Sequence, residues 1–334
     1  MNRGMMKAAV VPEKGKLSIE EIPVPEIPEY MALCKNIYGA TCTATDQHLI
    51  DGSIPVPLPT LLGHESIGRV IEVGEKVRSF KVGDRVARTL LLKSEQMNST
   101  WGGYAEYGLV LDWQAMKEDG IDEKIWCDSL KHQVIPEDIP DEVAPMLITW
   151  RETHSCIMRM GVKPGMRVLV IGTGGNGLSF AAHARWEGAS AVVVGSSGRE
   201  KNALMCGAEA FVSYRDKECP DKVRALMGDG FDLLIDAVGN EETTRMLLPT
   251  LKKGGVIAVY GINEPVQLPE GDYTRYNAHY VEGETHDRVI EGVRAGMYPV
   301  EAFYDVNNPY PLDRLNEAFD MLAEKTWPKA LIRL

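Results

Sequence analysis

Short apolar runs punctuated by glycine and proline fill the first third of the chain. Residues 8–11, 31–38, 68–73, 85–87 and 104–110 are rich in Val, Ala, Leu, Ile and Tyr. The breakers between them predict strands joined by turns, hence an all-β body. Prolines at 23, 25 and 28, and again at 55, 57 and 59, have no N–H to give to a ladder, so those stretches read as extended connections. The pattern changes at Pro164-Gly165. Residues 168–171, 191–194, 210–212, 233–236 and 256–260 are almost continuously apolar, as strands buried on both faces of a parallel sheet are, and helical stretches separate them. This alternation predicts a doubly wound α/β domain. Residues 315–324 then carry the spacing of a short amphipathic helix, and residues 330–334 read as one more strand.

Composition narrows the class without changing this division. The chain has 334 residues, 44% hydrophobic and 25% charged, which suits two folded domains rather than a disordered polymer. A net charge of −12 with no densely basic stretch argues against nucleic acid as a partner. No apolar run approaches the ~20 residues of a membrane helix, and residues 1–11 lack the apolar core of an export signal; we expect a cytoplasmic protein. Cysteines at 34, 42, 127, 156, 206 and 219 form no Cys-x-x-Cys pair, so we expect no disulfide framework. All but Cys42 read as small buried hydrophobes.

The clearest chemical signal is the turn that follows residues 168–171. Gly172-Thr-Gly174-Gly175-Asn176-Gly177 places G-x-G-x-x-G between a strand and an apolar helix, the context that makes the pattern a dinucleotide-binding turn. Gly172 permits the tight turn, Gly174 lets the backbone approach a pyrophosphate, and Gly177 brings helix against strand. An NAD site carries an acid at the end of the next strand to accept from the ribose hydroxyls. Here that strand ends in Gly195-Ser196-Ser197-Gly198-Arg199. Hydroxyls and a guanidinium suit the extra phosphate of NADP, so we expect NADP to be preferred, with NAD also possible.

Ahead of that turn stand Gly63-His64-Glu65-Ser66-Ile67-Gly68, Val82-Gly83-Asp84-Arg85-Val86 and Gly102-Gly103-Tyr104-Ala105-Glu106-Tyr107. Together with the glycine turn, residues 232–239 and Gly254-Gly255, these motifs resemble the zinc-dependent alcohol and polyol dehydrogenases of the medium-chain dehydrogenase/reductase family. The resemblance covers nearly the whole chain. It implies a GroES-like β-barrel catalytic domain, residues 1–147 and 296–334, beside a Rossmann domain, residues 148–295, with the active site in the cleft between them. The implied reaction moves a hydride between nicotinamide and a small alcohol or polyol, or the matching aldehyde or ketone, with one zinc polarising the substrate oxygen. The implied assembly is a homodimer or homotetramer paired through an edge strand of the Rossmann sheet, expected at residues 256–260.

Carried onto this chain, His64 matches the family's zinc-binding histidine and Glu65 the carboxylate that supports the site. The family's Cys-x-Thr-Asp reads here as Cys42-Thr43-Ala44-Thr45-Asp46-Gln47-His48, with the cysteine one residue early. Thr43 occupies the usual ligand position but is a poor zinc donor, and a local bulge could return Cys42 to the metal. Thr45 matches the residue that hydrogen-bonds the substrate hydroxyl, Asp46 an acid behind the ligands, and His48 a proton relay. The third ligand position falls near Leu147 or Ile148, neither of which binds metal; Glu152, one turn further along a helix spanning 144–159, is the expected substitute, with Glu65 in reserve. Residues 88–107 hold no cysteine, so no structural zinc is expected. Trp101, Met146 and Trp150 are candidate walls of the substrate cleft. Two rival readings remain at this stage: a zinc-free NADPH-dependent quinone or enoyl reductase, and a non-catalytic dinucleotide-binding protein.

Overall fold

The computed structural model describes residues 3–226, 228–262 and 266–334. Its centre is a parallel sheet whose strands run, in space, Ala210–Ser213, Ser190–Gly195, Arg167–Ile171, Phe231–Asp236, Leu251–Val259 and Tyr273–Tyr276. In chain order that is 3-2-1-4-5-6, the doubly wound arrangement whose direction reverses between the first and fourth strands. The sequence explains the placement. Val168, Val170, Val193, Leu233 and Ile235 face one core, while Leu169, Ile171, Val192, Val194 and Leu234 face another, so residues 168–171, 191–194 and 233–236 are buried throughout. Residues 256–260 were expected at the sheet edge, and this is corrected: Leu251–Val259 is hydrogen-bonded on both sides, and Tyr273–Tyr276 forms that edge.

The β body holds two further sheets. In one, Met5–Val11 lies between Ser18–Pro23 and Thr60–Leu61; in the other, Met31–Ala40 is paired with Ser66–Val73 and Tyr107–Leu111. The C-terminal strand Leu331–Arg333 returns to this body and pairs antiparallel with Tyr38 to Ala40. That return brings the segment just before it, residues 324–329, across the mouth of the space between body and parallel sheet.

The helix Met146–Arg159 joins the two parts, and it is buried from Met146 through Ile157. Leu147, Ile148 and Trp150 belong to one continuous core with Ala40, Ile67, Val168 and Phe180, so apolar burial along this helix holds the body against the sheet. No helix among the described residues is long and apolar enough to cross a membrane.

Candidate active site

Cys42 caps the helix Thr43–Asp51 with φ −102° and ψ 82°, outside the helical region. Its N–H donates to Asp46 Oδ2 at 3.0 Å while the Asp46 N–H donates to Cys42 O at 2.9 Å, a reciprocal closure of the first turn related to a capping box. The early position of the cysteine is therefore absorbed at the helix start, and the thiol is delivered to the same place as His64 and Glu65. Thr45 lies behind it, its hydroxyl 3.4 Å from Cys42 Sγ. Asp46 is fully buried, with the Tyr104 hydroxyl 2.9 Å away. Burial pushes its carboxyl up to about 7.

His64 and Glu65 follow Gly63, whose φ of +92° and whose contact with Tyr104 leave no room for a side chain: a Cβ there would lie 2.4 Å from the ring. One ligating atom from each of Cys42, His64 and Glu65 lies within 4.8 Å of the others. His64 turns Nε2 toward Glu65 Oε1 and Nδ1 toward Asp46 Oδ1, each at 3.9 Å; Nδ1 and Oδ1 are buried without a hydrogen-bond partner among the described residues. Thiol, imidazole and carboxylate converging in this way form a donor set that fits zinc, and a carboxylate behind the imidazole is the usual support for a ligating histidine. Burial, and then the nearby Arg88 charge, hold His64 neutral, the protonation state that binds metal. The indole of Trp101 leans on the same imidazole, with ring centres 4.6 Å apart.

Lys329 completes the cluster, and the sequence reading missed it. Its Nζ lies 2.7 Å from both Glu65 oxygens and 2.8 Å from Thr41 O. Burial opposes its charge, but Glu65 and Cys42 hold the ammonium above its ordinary range. Thr149 adds a hydrogen bond to Glu65 Oε1 at 2.9 Å. The available signal was a lysine set between Pro328 and the apolar run Ala330-Leu331-Ile332, where a buried charge needs a buried partner.

From this cluster a cleft of about 690 Å³ runs to the glycine turn, lined by Cys42, Thr43 and His48 at one end and by Gly172, Gly174, Gly175 and Asn176 further along. The volume is that of a ligand site. Gly172 has φ +118°, and a Cβ on Gly177 would lie 2.2 Å from Gly172 O, so helix and strand touch there; a Cβ on Gly174 would meet nothing within 4 Å, which leaves that backbone open to the cleft. Asp236, at the end of the next central strand, accepts from the N–H groups of Val238, Gly239 and Asn240 and so shapes the opposite wall.

Several expected site residues are placed elsewhere. Glu152 is not brought to the donor group: its Oε1 accepts from Arg88 Nη1 at 2.5 Å and lies 3.3 Å from the Tyr280 hydroxyl. Arg88, held at φ +63°, also pairs with Glu282, so the carboxylate is spent inside an ion cluster. Arg199 lines the cleft, but its guanidinium donates to the carbonyls of Thr173, Lys325 and Trp327 at 3.0, 3.2 and 2.7 Å. It fastens residues 325–327 to the glycine turn instead of standing free for a phosphate. Ser196 and Tyr214 line the cleft and Ser197 does not. Met146 and Trp150 are wholly buried core residues rather than cleft walls.

Comparison with known proteins agrees with this fold. Residues 172–285 match the model of the zinc-binding dehydrogenase family, and residues 32–119 match the alcohol dehydrogenase GroES-like domain. The chain is 28% identical to a sorbitol dehydrogenase of Bombyx mori over 98% of each chain. It is 30% identical to an alcohol dehydrogenase of Geobacillus stearothermophilus over 95% of each. The fold is similar to that of a benzyl alcohol dehydrogenase from Acinetobacter calcoaceticus, with a TM-score of 0.84, 19% identity and 99% of both chains covered.

Proposed function

The chain belongs to the zinc-dependent medium-chain dehydrogenase family, and from that premise we propose that it transfers a hydride between a small alcohol or polyol and the nicotinamide of NADP. The observation that carries this reading is the convergence of Cys42, His64 and Glu65 donor atoms behind one end of a cleft that Cys42 lines and whose other end is the glycine turn. A zinc ion held by these three residues supplies a Lewis acid for the substrate oxygen. Gly172, Gly174 and Gly175 would hold the dinucleotide, and the N–H groups at the start of the helix Gly175–Trp186 would serve its phosphates. Thr45 takes the proton of the substrate hydroxyl. His48, three residues on along the same helix face and lining the cleft, passes it toward solvent. Asp46 Oδ1 faces the His64 ring from behind at 3.9 Å.

The preference for NADP is supported by the absence of an acid after Val194 and by Ser196, Tyr214 and Lys325 around that rim of the cleft. The test is a panel of alcohols and polyols assayed with each cofactor, together with metal analysis of protein prepared without chelator. We expect about one zinc per chain and kcat/KM with NADP at least about ten-fold above that with NAD, since one charge-assisted contact is worth about 1.5–3 kcal/mol. Equal efficiency would sink the NADP assignment. Absence of zinc, combined with reduction of conjugated enones and no alcohol turnover, would replace the reading with the zinc-free one.

A further inference from the structure

Lys329 is only 2% exposed, and its ammonium has an acceptor for each of its three N–H bonds: Glu65 Oε1, Glu65 Oε2 and Thr41 O. Its stem crosses Gly175, the first residue of the helix Gly175–Trp186; a Cβ on that glycine would lie 2.5 Å from Lys329 Cε. One side chain therefore touches the phosphate-facing turn along its length and a candidate metal ligand at its tip. The backbone that carries it is pinned. Thr43 Oγ1 donates to Pro328 O at 3.1 Å, Ala330 N–H donates to Thr41 Oγ1 at 2.8 Å, and Arg199 holds Lys325 and Trp327 through their carbonyls. The movable part is the side chain.

We propose that Lys329 is a positioning residue that couples occupancy of the dinucleotide turn to the metal affinity of Cys42, His64 and Glu65. The inference rests on the function proposed above. A carboxylate with both oxygens on an ammonium is a weakened donor, and a divalent ion beside that ammonium meets a like charge. A pyrophosphate seated on the N–H groups at Gly174 and Gly175 brings negative charge against the Lys329 side chain. It draws the ammonium toward itself and frees a Glu65 oxygen for the metal. Both effects act in one direction, so the dinucleotide tightens metal binding. By linkage the metal tightens dinucleotide binding by the same factor.

The experiment measures the dissociation constant of zinc, and of cobalt as a coloured substitute, by competition with a chromophoric chelator. The full-length protein is titrated without dinucleotide and with saturating NADP or NAD. In the wild type we expect either dinucleotide to tighten metal binding at least about five-fold, the lower end of typical site coupling. Lys329→Arg should keep most of the effect. Lys329→Met should show less than about two-fold while still binding metal and dinucleotide. If that variant fails to fold, Lys329→Gln takes its place, since the amide keeps a donor for Thr41 O. Wild-type protein that binds both ligands with no mutual effect would overturn the coupling and leave the proposed function standing, as would a Lys329→Met variant coupled like the wild type. Wild-type protein that binds no metal at all would overturn the function proposal and this inference with it.

Discussion

Two buried carboxylates, Glu65 and Glu152, are engaged by different cations. Glu65 meets Lys329 and Thr149 beside Cys42 and His64, whereas Glu152 meets Arg88 and Tyr280. Glu152→Gln is therefore expected to keep full metal content. It should lower stability instead, by about 1–3 kcal/mol, because Arg88 loses one charged acceptor in a buried site while keeping Glu282. Urea unfolding and metal analysis of the same sample check this. Loss of metal with unchanged stability would return Glu152 to the ligand set.

At the level of elements, residues 324–329 act as a strap across the cleft, tied to the β body by Thr43 and Thr41 and to the parallel sheet by Arg199. Arg199 has three carbonyl acceptors and is 8% exposed; burial lowers its guanidinium to about 10. Arg199→Ala removes hydrogen bonds from a charged donor worth about 1.5–3 kcal/mol each. It should raise KM for NAD and NADP together, by about ten-fold or more, because the strap and the turn loosen for both. A defect confined to NADP would mean that the guanidinium leaves the strap to hold the 2′-phosphate. Steady-state kinetics with both cofactors separate the two outcomes.

For the whole molecule, buried histidines set the response to acid. His132 is 1% exposed, accepts the Leu111 N–H at Nδ1 and is lowered by burial to about 3; His286 is lowered by burial to about 3 as well. Above about pH 6.5 such a histidine is neutral in both the folded and the unfolded chain and adds no pH dependence. Below that, the unfolded chain takes up a proton that the folded one refuses, so stability falls as pH falls. Asp46, raised to about 7, works in the opposite direction over the same interval, so the comparison that isolates the histidine is against His132→Gln, which keeps an acceptor for Leu111. Between pH 7.5 and 5.5 the wild type should lose about 1.4 kcal/mol relative to this variant. Parallel urea midpoints across that range would show that His132 takes up its proton in the native state.

The chain's own pattern determined a great deal. Continuous Val, Ile and Leu runs could satisfy both faces of a buried strand only in a covered parallel sheet, so the doubly wound domain was legible, as was the dinucleotide turn from its three glycines. His64 and Glu65 were legible because Gly63 precedes them and a run of neighbouring motifs places them. Other features depend on contacts between segments distant in sequence, which local pattern does not record. Cys42 is the local exception: its placement at the site, rather than that of Thr43, depended on the cap geometry closed by Asp46 four residues on. Glu152 was decided by Arg88, 64 residues away, and Arg199 by Lys325 and Trp327, more than 120 residues away. Lys329 lies 264 residues from Glu65. Its charge has meaning only once the C-terminal strand has folded back onto residues 38–40 and delivered an ammonium to a buried carboxylate.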